Sequence, residues 1–218
     1  MLTSTSGGLE TLRLVFAAVV AAIVALTLVA TPTAAVKSDC KAASVSTGRT
    51  YSSLQAAVNA ARPGAQLVVK GKCFGTTVIA KRLTITGMET ERTGKPVLTG
   101  RNEVKVLRLM PTAKVRLKGL TVQYGGGRFR NSGAIDNRGT LDLVNVKVQR
   151  NIHYGIRNTG TLRTWGNSRV SAGMSGGIFN KGLLIMNGRS KVGRNYEVIS
   201  IWNAGRLVMN DASSVVGG

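Results

Sequence analysis

The segment IDNRGTL beginning at Ile135 returns as IRNTGTL at Ile156, IFNKGLL at Ile178 and IWNAGRL at Ile201, at intervals of 21, 22 and 23 residues. A unit this short has no core of its own and must bury its apolar side against its neighbours, so the repeat specifies a solenoid. Leucine-rich repeats have a similar period but require a Leu-x-x-Leu-x-Leu-x-x-Asn spacing, which the four copies lack. In each copy the Ile, the Leu and a following Leu or Met (Leu143, Met186, Met209) alternate with other residues. This alternation predicts an inward file in a parallel β-helix. Asn137, Asn158, Asn180 and Asn203 hold a fixed offset, where Asn tolerates left-handed backbone and stacked amides bond in a ladder. We read that ladder as structural, and Gly139, Gly160, Gly182 and Gly205 as turn or bend glycines.

The clear repeats span residues 133–218 and continue more loosely upstream. Val115-x-Leu117 and Leu120-x-Val122 match Leu141-x-Leu143 and Val146-x-Val148 at an offset of 26, and Leu83-Thr84-Ile85-Thr86-Gly87 has the same character. Before them, SSLQAAVNAARPG at residues 52–64 carries a helical pattern. Ser52 and Gln55 have capping-box spacing, Leu54, Ala57, Val58 and Ala61 share one face, and Arg62-Pro63-Gly64 stops the run. A single short helix ahead of many strands is expected near residues 53–61 as a cover for an exposed sheet edge.

From Tyr51 onward the chain resembles the right-handed parallel β-helix proteins of the pectin-lyase-like superfamily. The repeats carry the resemblance, together with YSSLQAAVNAARPGAQLVVKGKCFGTTVIAKRLTITG, which is similar to the helix-capped first coil of secreted bacterial members. The resemblance implies an all-β fold, a right-handed parallel β-helix with a short N-terminal capping α-helix. It does not fix an activity, because that superfamily holds lyases, hydrolases and adhesins.

Residues 14–30 run LVFAAVVAAIVALTLVA without a charge and lead to small residues at Thr33 and Ala35. Two readings stand: a secretory signal cleaved near Ala35, or an uncleaved membrane anchor. Residues 1–35 are thereby set apart from a β-helix domain of residues 36–218, expected outside the cell. In such a compartment the even pair Cys40 and Cys73 favours a disulfide.

Lys and Arg number 30 against nine Asp and Glu, a net charge of +21 that points to polyanionic partners. With nine acids, two Cys and one His there is little material for a metal cluster or a many-carboxylate site, and no catalytic, metal or cofactor residue is assigned. Stacked coils allow outward positions to be read as columns. Arg116, Asp142 and Arg163 form one, and Asp136 falls beside Arg157, so both acids read as salt-bridge partners. Phe179 and Trp202 occupy equivalent positions and are expected to stack on one another, the alternative being a sugar ring. Lys147, Arg169 and Lys191 follow at successive intervals of 22 residues, with Arg150, Arg189 and Arg194 in the same turns. These six residues are the expected polyanion-binding stripe.

The expected function is an exported, non-catalytic module that binds acidic polymers, anionic polysaccharide foremost, with extracellular nucleic acid as a further partner. One alternative is a polysaccharide lyase or glycoside hydrolase, the enzymatic branch of the resembled superfamily. Against it, the outward acids are isolated, whereas hydrolysis needs two carboxylates across one bond and Ca²⁺ needs several oxygen ligands. The other alternative is an adhesive or structural surface protein that self-associates end to end through a last coil with no second helix to cover it.

Overall fold

The computed structural model describes residues 39–126, 133–196 and 199–217. From Thr77 onward the backbone makes the same circuit six times, laying one strand into each of three sheets per circuit. We call the six-, nine- and seven-stranded sheets faces C, A and B, in the order the chain visits them. Neighbouring strands in these circuits come from successive coils and run parallel, as in Gly133–Asn137 beside Tyr154–Asn158. The fold is a parallel β-solenoid. The leader reading of residues 1–35 lies outside the described residues, among which no helix is long and apolar enough to cross a membrane.

The register follows the repeat. Leu107, Ile135, Ile156, Ile178 and Ile201 pair in one interior file of face C. Face A carries a second file, Leu83, Val115, Leu141, Leu162, Leu184 and Leu207. Face B carries a third, Cys73, Leu98, Val122, Val148, Val170 and Val192. Most of these side chains are completely enclosed and belong to one continuous core. Full burial of a Leu, Ile or Val contributes about 1.5–3 kcal/mol, so the files are the main stabilising element. The longer upstream coils place their extra residues in segments outside the strands, between Gly87 and Val97 and between Thr99 and Leu107.

The asparagines form a continuous ladder, buried at Asn137, Asn158 and Asn180 and exposed at Asn203. Asn137 Nδ2 donates to Asn158 Oδ1 at 2.7 Å, Asn158 Nδ2 to Asn180 Oδ1 at 2.7 Å, and Asn180 Nδ2 to Asn203 Oδ1 at 2.6 Å. The first three amides also donate to a backbone carbonyl of the following coil, that of Thr161, Leu183 or Arg206. The expectation of left-handed backbone here is corrected: all four asparagines lie in strands, and positive φ falls at other positions such as Asn145 and Arg150. The reason is that the ladder needs the amides stacked at strand spacing, which extended backbone supplies. The repeat glycines sit at bends, and their missing Cβ allows close coil-on-coil contact. A Cβ at Gly160 would collide with the Gly139 carbonyl oxygen, and one at Gly182 with that of Gly160.

One interior position breaks the apolar pattern. Thr164 lies between Leu143 and Met186 in a face A file, is buried, and its Oγ1 has no hydrogen-bond partner among the described residues. A buried hydroxyl without a partner costs free energy that a methyl of the same shape does not. Thr164→Val is expected to raise the unfolding free energy by about 1 kcal/mol, measured by denaturant titration.

The N-terminal end is closed by more than a helix. Strands Lys41–Ser44 and Thr50–Tyr51 form an antiparallel pair laid on Gln66–Lys70, an element the repeat gave no sign of. Helix α1, Leu54–Ala60, buries Leu54, Ala57 and Val58 against the first coils. Its N-cap is Ser53, whose Oγ accepts from the Ala56 N–H, so the Ser52–Gln55 capping box is corrected by one residue. Gln55 is turned elsewhere: its Oε1 accepts from Val78 N at 2.7 Å and its Nε2 faces the Val78 carbonyl at 3.4 Å. Val78 lies in the edge strand of face C, and the amide side chain satisfies the backbone groups a further strand would have taken. Lys81 Nζ donates to the Val58 and Ala61 carbonyls and closes the other end of α1. At the opposite end of the solenoid Trp202, Met209 and Val215 are exposed, and no second helix occurs among the described residues.

Candidate polyanion-binding face

Alternation along each short strand of face B sends Val148, Val170 and Val192 into the core and Lys147, Arg169 and Lys191 outward. These cations pair in register on successive coils. Preceding coils place Lys72, Val97 and Thr121 in the same column, so the uninterrupted basic run covers three coils. At a strand spacing of about 4.8 Å, two unit charges in water repel by roughly 0.9 kcal/mol. Nothing in the packing compensates this: none of the three makes an ion pair among the described residues.

Beside the column runs a shallow cleft of about 750 Å³, with Lys147, Arg169, Lys191 and Arg194 on its wall. Gln149, Asn167 and Ser171 add amide and hydroxyl groups, and among the described residues no acidic or aromatic side chain lines it. Sequence reading missed these three neutral residues, although Gln149 and Ser171, two residues after Lys147 and Arg169, share their outward face; Asn167 lies in the turn before the Arg169 strand. Arg194 reaches the cleft from the corner after face B, where its backbone is left-handed at φ 55°. The same corner holds Tyr124, Arg150 and Ala172 at φ 51–54°, a conformation non-glycine residues rarely adopt.

The remaining two residues of the expected stripe flank the cleft and do not line it. Arg150 lines a neighbouring hollow of about 330 Å³ and donates to the Tyr124 hydroxyl at 3.3 Å. Arg189 is exposed in the turn before Lys191, its N–H bonded to the Gly166 carbonyl.

Two acids, Asp136 and Asp142, are held by cations on the other faces. Asp136, 1 % exposed on face C, accepts from Arg157 at 3.2 Å, Arg138 at 3.4 Å and Lys105 at 3.5 Å. Burial by itself pushes its carboxyl up, but Lys105, Arg138 and Arg157 together outweigh that and hold it below the usual carboxylate value. The register identified Arg157; Lys105 and Arg138 are brought in by a loop and a bend that periodicity does not describe. On face A, Asp142 lies between Arg116 at 3.3 Å and Arg163 at 3.5 Å, as their column predicted.

The aromatic pair behaves as expected. Phe179 and Trp202 stack face to face at 4.2 Å with ring planes 3° apart, and Tyr154 tilts against Phe179 at 5.3 Å. The Phe179 ring is occupied by its neighbours and is itself buried. Cys40 and Cys73 are joined in a disulfide. Compared with known protein families, curated proteins and solved structures, the chain matches none of them.

Proposed function

We propose that this chain is an exported β-solenoid of the right-handed, pectin-lyase-like kind that binds acidic polysaccharide along face B without transforming it. The observation that carries the reading is the three-coil column of Lys147, Arg169 and Lys191, stacked in register beside a cleft that no acid lines among the described residues. Repulsion within the column is relieved when carboxylates or sulfates of a polymer lie over it, so the arrangement gains most from an anion that repeats along the axis. Gln149, Asn167 and Ser171 supply the neutral hydrogen bonds that a hydroxyl-rich polymer takes. Single-stranded nucleic acid is favoured less, since binding it relies on aromatic platforms and the cleft has none among the described residues.

The test is retention on immobilised polygalacturonate across a salt gradient. The intact chain is expected to bind with a steep salt dependence, because each neutralised anion releases a counterion. At about 1 kcal/mol for a cation beside an anionic surface, K147Q, R169Q and K191Q combined should weaken binding about a hundredfold. Unchanged retention of the triple variant rejects the site. Stronger displacement by single-stranded DNA than by the free polysaccharide would assign the face to nucleic acid instead.

A further inference from the structure

Face A carries a second basic patch, on different coils from the first. Arg82 pairs with Lys114 across the coils, and along one strand Lys114, Arg116 and Lys118 all point outward and are exposed. Arg116 is tied to Asp142, whereas Arg82, Lys114 and Lys118 make no ion pair among the described residues. Arg82, Lys114 and Arg116 surround a hollow of about 230 Å³, into which Thr84 and Thr140 add hydroxyls. Asp142 is the one acid lining it among the described residues. Strand geometry separates these cations by about 5 Å across coils and about 7 Å along a strand, a two-dimensional block unlike the single file on face B.

We infer that this patch is a second site for acidic polysaccharide, so that one protein molecule bridges two polymer chains. The inference rests on the face B reading for the class of ligand. Its own support is positional. Faces A and B enclose one core, so their outward normals diverge. The face A cations also belong to the coils at Arg82–Gly87 and Lys114–Lys118, whereas the face B column begins in the next coil, at Lys147. A stiff polymer lying along one patch therefore points away from the other, and a second chain fills it. Joining two such sites on a rigid body makes a cross-link and raises avidity for a polymer network without any new contact.

The experiment uses the full chain and a short oligogalacturonate in titration calorimetry, with light scattering of long polygalacturonate as a second readout. The intact chain is expected to take up two oligomers and to make the long polymer scatter strongly. The variant R82Q/K114Q/K118Q leaves the Arg116–Asp142 pair in place. It should take up one oligomer, stay bound to the long polymer and lose the scattering. The variant K147Q/R169Q/K191Q should likewise take up one oligomer, on face A, and lose the scattering, with its hold on the long polymer weakened as in the retention test. Uptake of one oligomer by the intact chain, lost only in the face B variant, overturns this inference and leaves the face B reading standing. Uptake of one oligomer weakened by both variants means that a single chain wraps the corner between the faces, and also overturns it. Uptake lost only in the face A variant rejects both the face B site and the bridge.

Discussion

Replacing Cys40 by Ala and Cys73 by Val is expected to lower the unfolding free energy by about 3.5–4 kcal/mol, the chain-entropy cost of releasing a loop with 33 residues of sequence separation. For a domain of this size that corresponds to a fall in melting temperature on the order of 10 °C, measured by calorimetry with and without the substitutions. Valine is the apt replacement because Cys73 heads the interior file that continues through Leu98, Val122 and Val148, so the apolar contacts survive and the cross-link alone is removed. The bond ties the antiparallel pair at the N-terminus to the first strand of face B. Loss of hydrogen-exchange protection should therefore appear first at Ala42 and Val69 and leave Ile156 and Ile178 protected. A variant that melts within about a degree of the parent would show that the hairpin and α1 hold the cap unaided.

The second large effect is expected at the centre of the amide ladder. Asn158→Ala removes the acceptor of Asn137 Nδ2 and the donor to Asn180 Oδ1, and leaves the Leu183 carbonyl without its side-chain donor. Asn137, Asn158 and Asn180 are fully buried, so the cost is set by orphaned polar groups and the vacated volume, about 3 kcal/mol or more. The contrasting variant is Asn137→Leu. The coil before Asn137 already places Leu109 in this file, and Asn137 Oδ1 has no hydrogen-bond partner among the described residues. Substitution there shifts the end of the ladder by one coil, to a state the fold already contains, and should cost about 1 kcal/mol or less. Equal costs at the two positions, in denaturant titrations, would mean that the ladder does not act as a connected network.

The repeat made the coils readable because a fixed offset becomes a fixed register once units stack. Ile135, Ile156, Ile178 and Ile201 share one file, and the charged columns follow from the same arithmetic. Aperiodic contacts were not readable in this way. Lys105 and Arg138 reach Asp136 from outside the strands, Gln55 turns from its own helix to the edge at Val78, and Lys41–Ser44 pairs antiparallel before any repeat begins. The glycines were read correctly as bends, while the crowding that excludes a side chain there appears only when one coil is laid on the next. On the candidate face the column itself was readable. The division of its flanking arginines was not, since left-handed corners at Arg150 and Arg194 decide which one leans over the cleft.

The uneven coil lengths are absorbed outside the sheets, between Gly87 and Val97 and between Thr99 and Leu107, while every file keeps its register. A molecule built this way is a ruler. Its graduations, about 4.8 Å apart, are set by backbone hydrogen bonding and not by side-chain choice. Whole units added or removed would change how long an object it measures and leave the scale untouched.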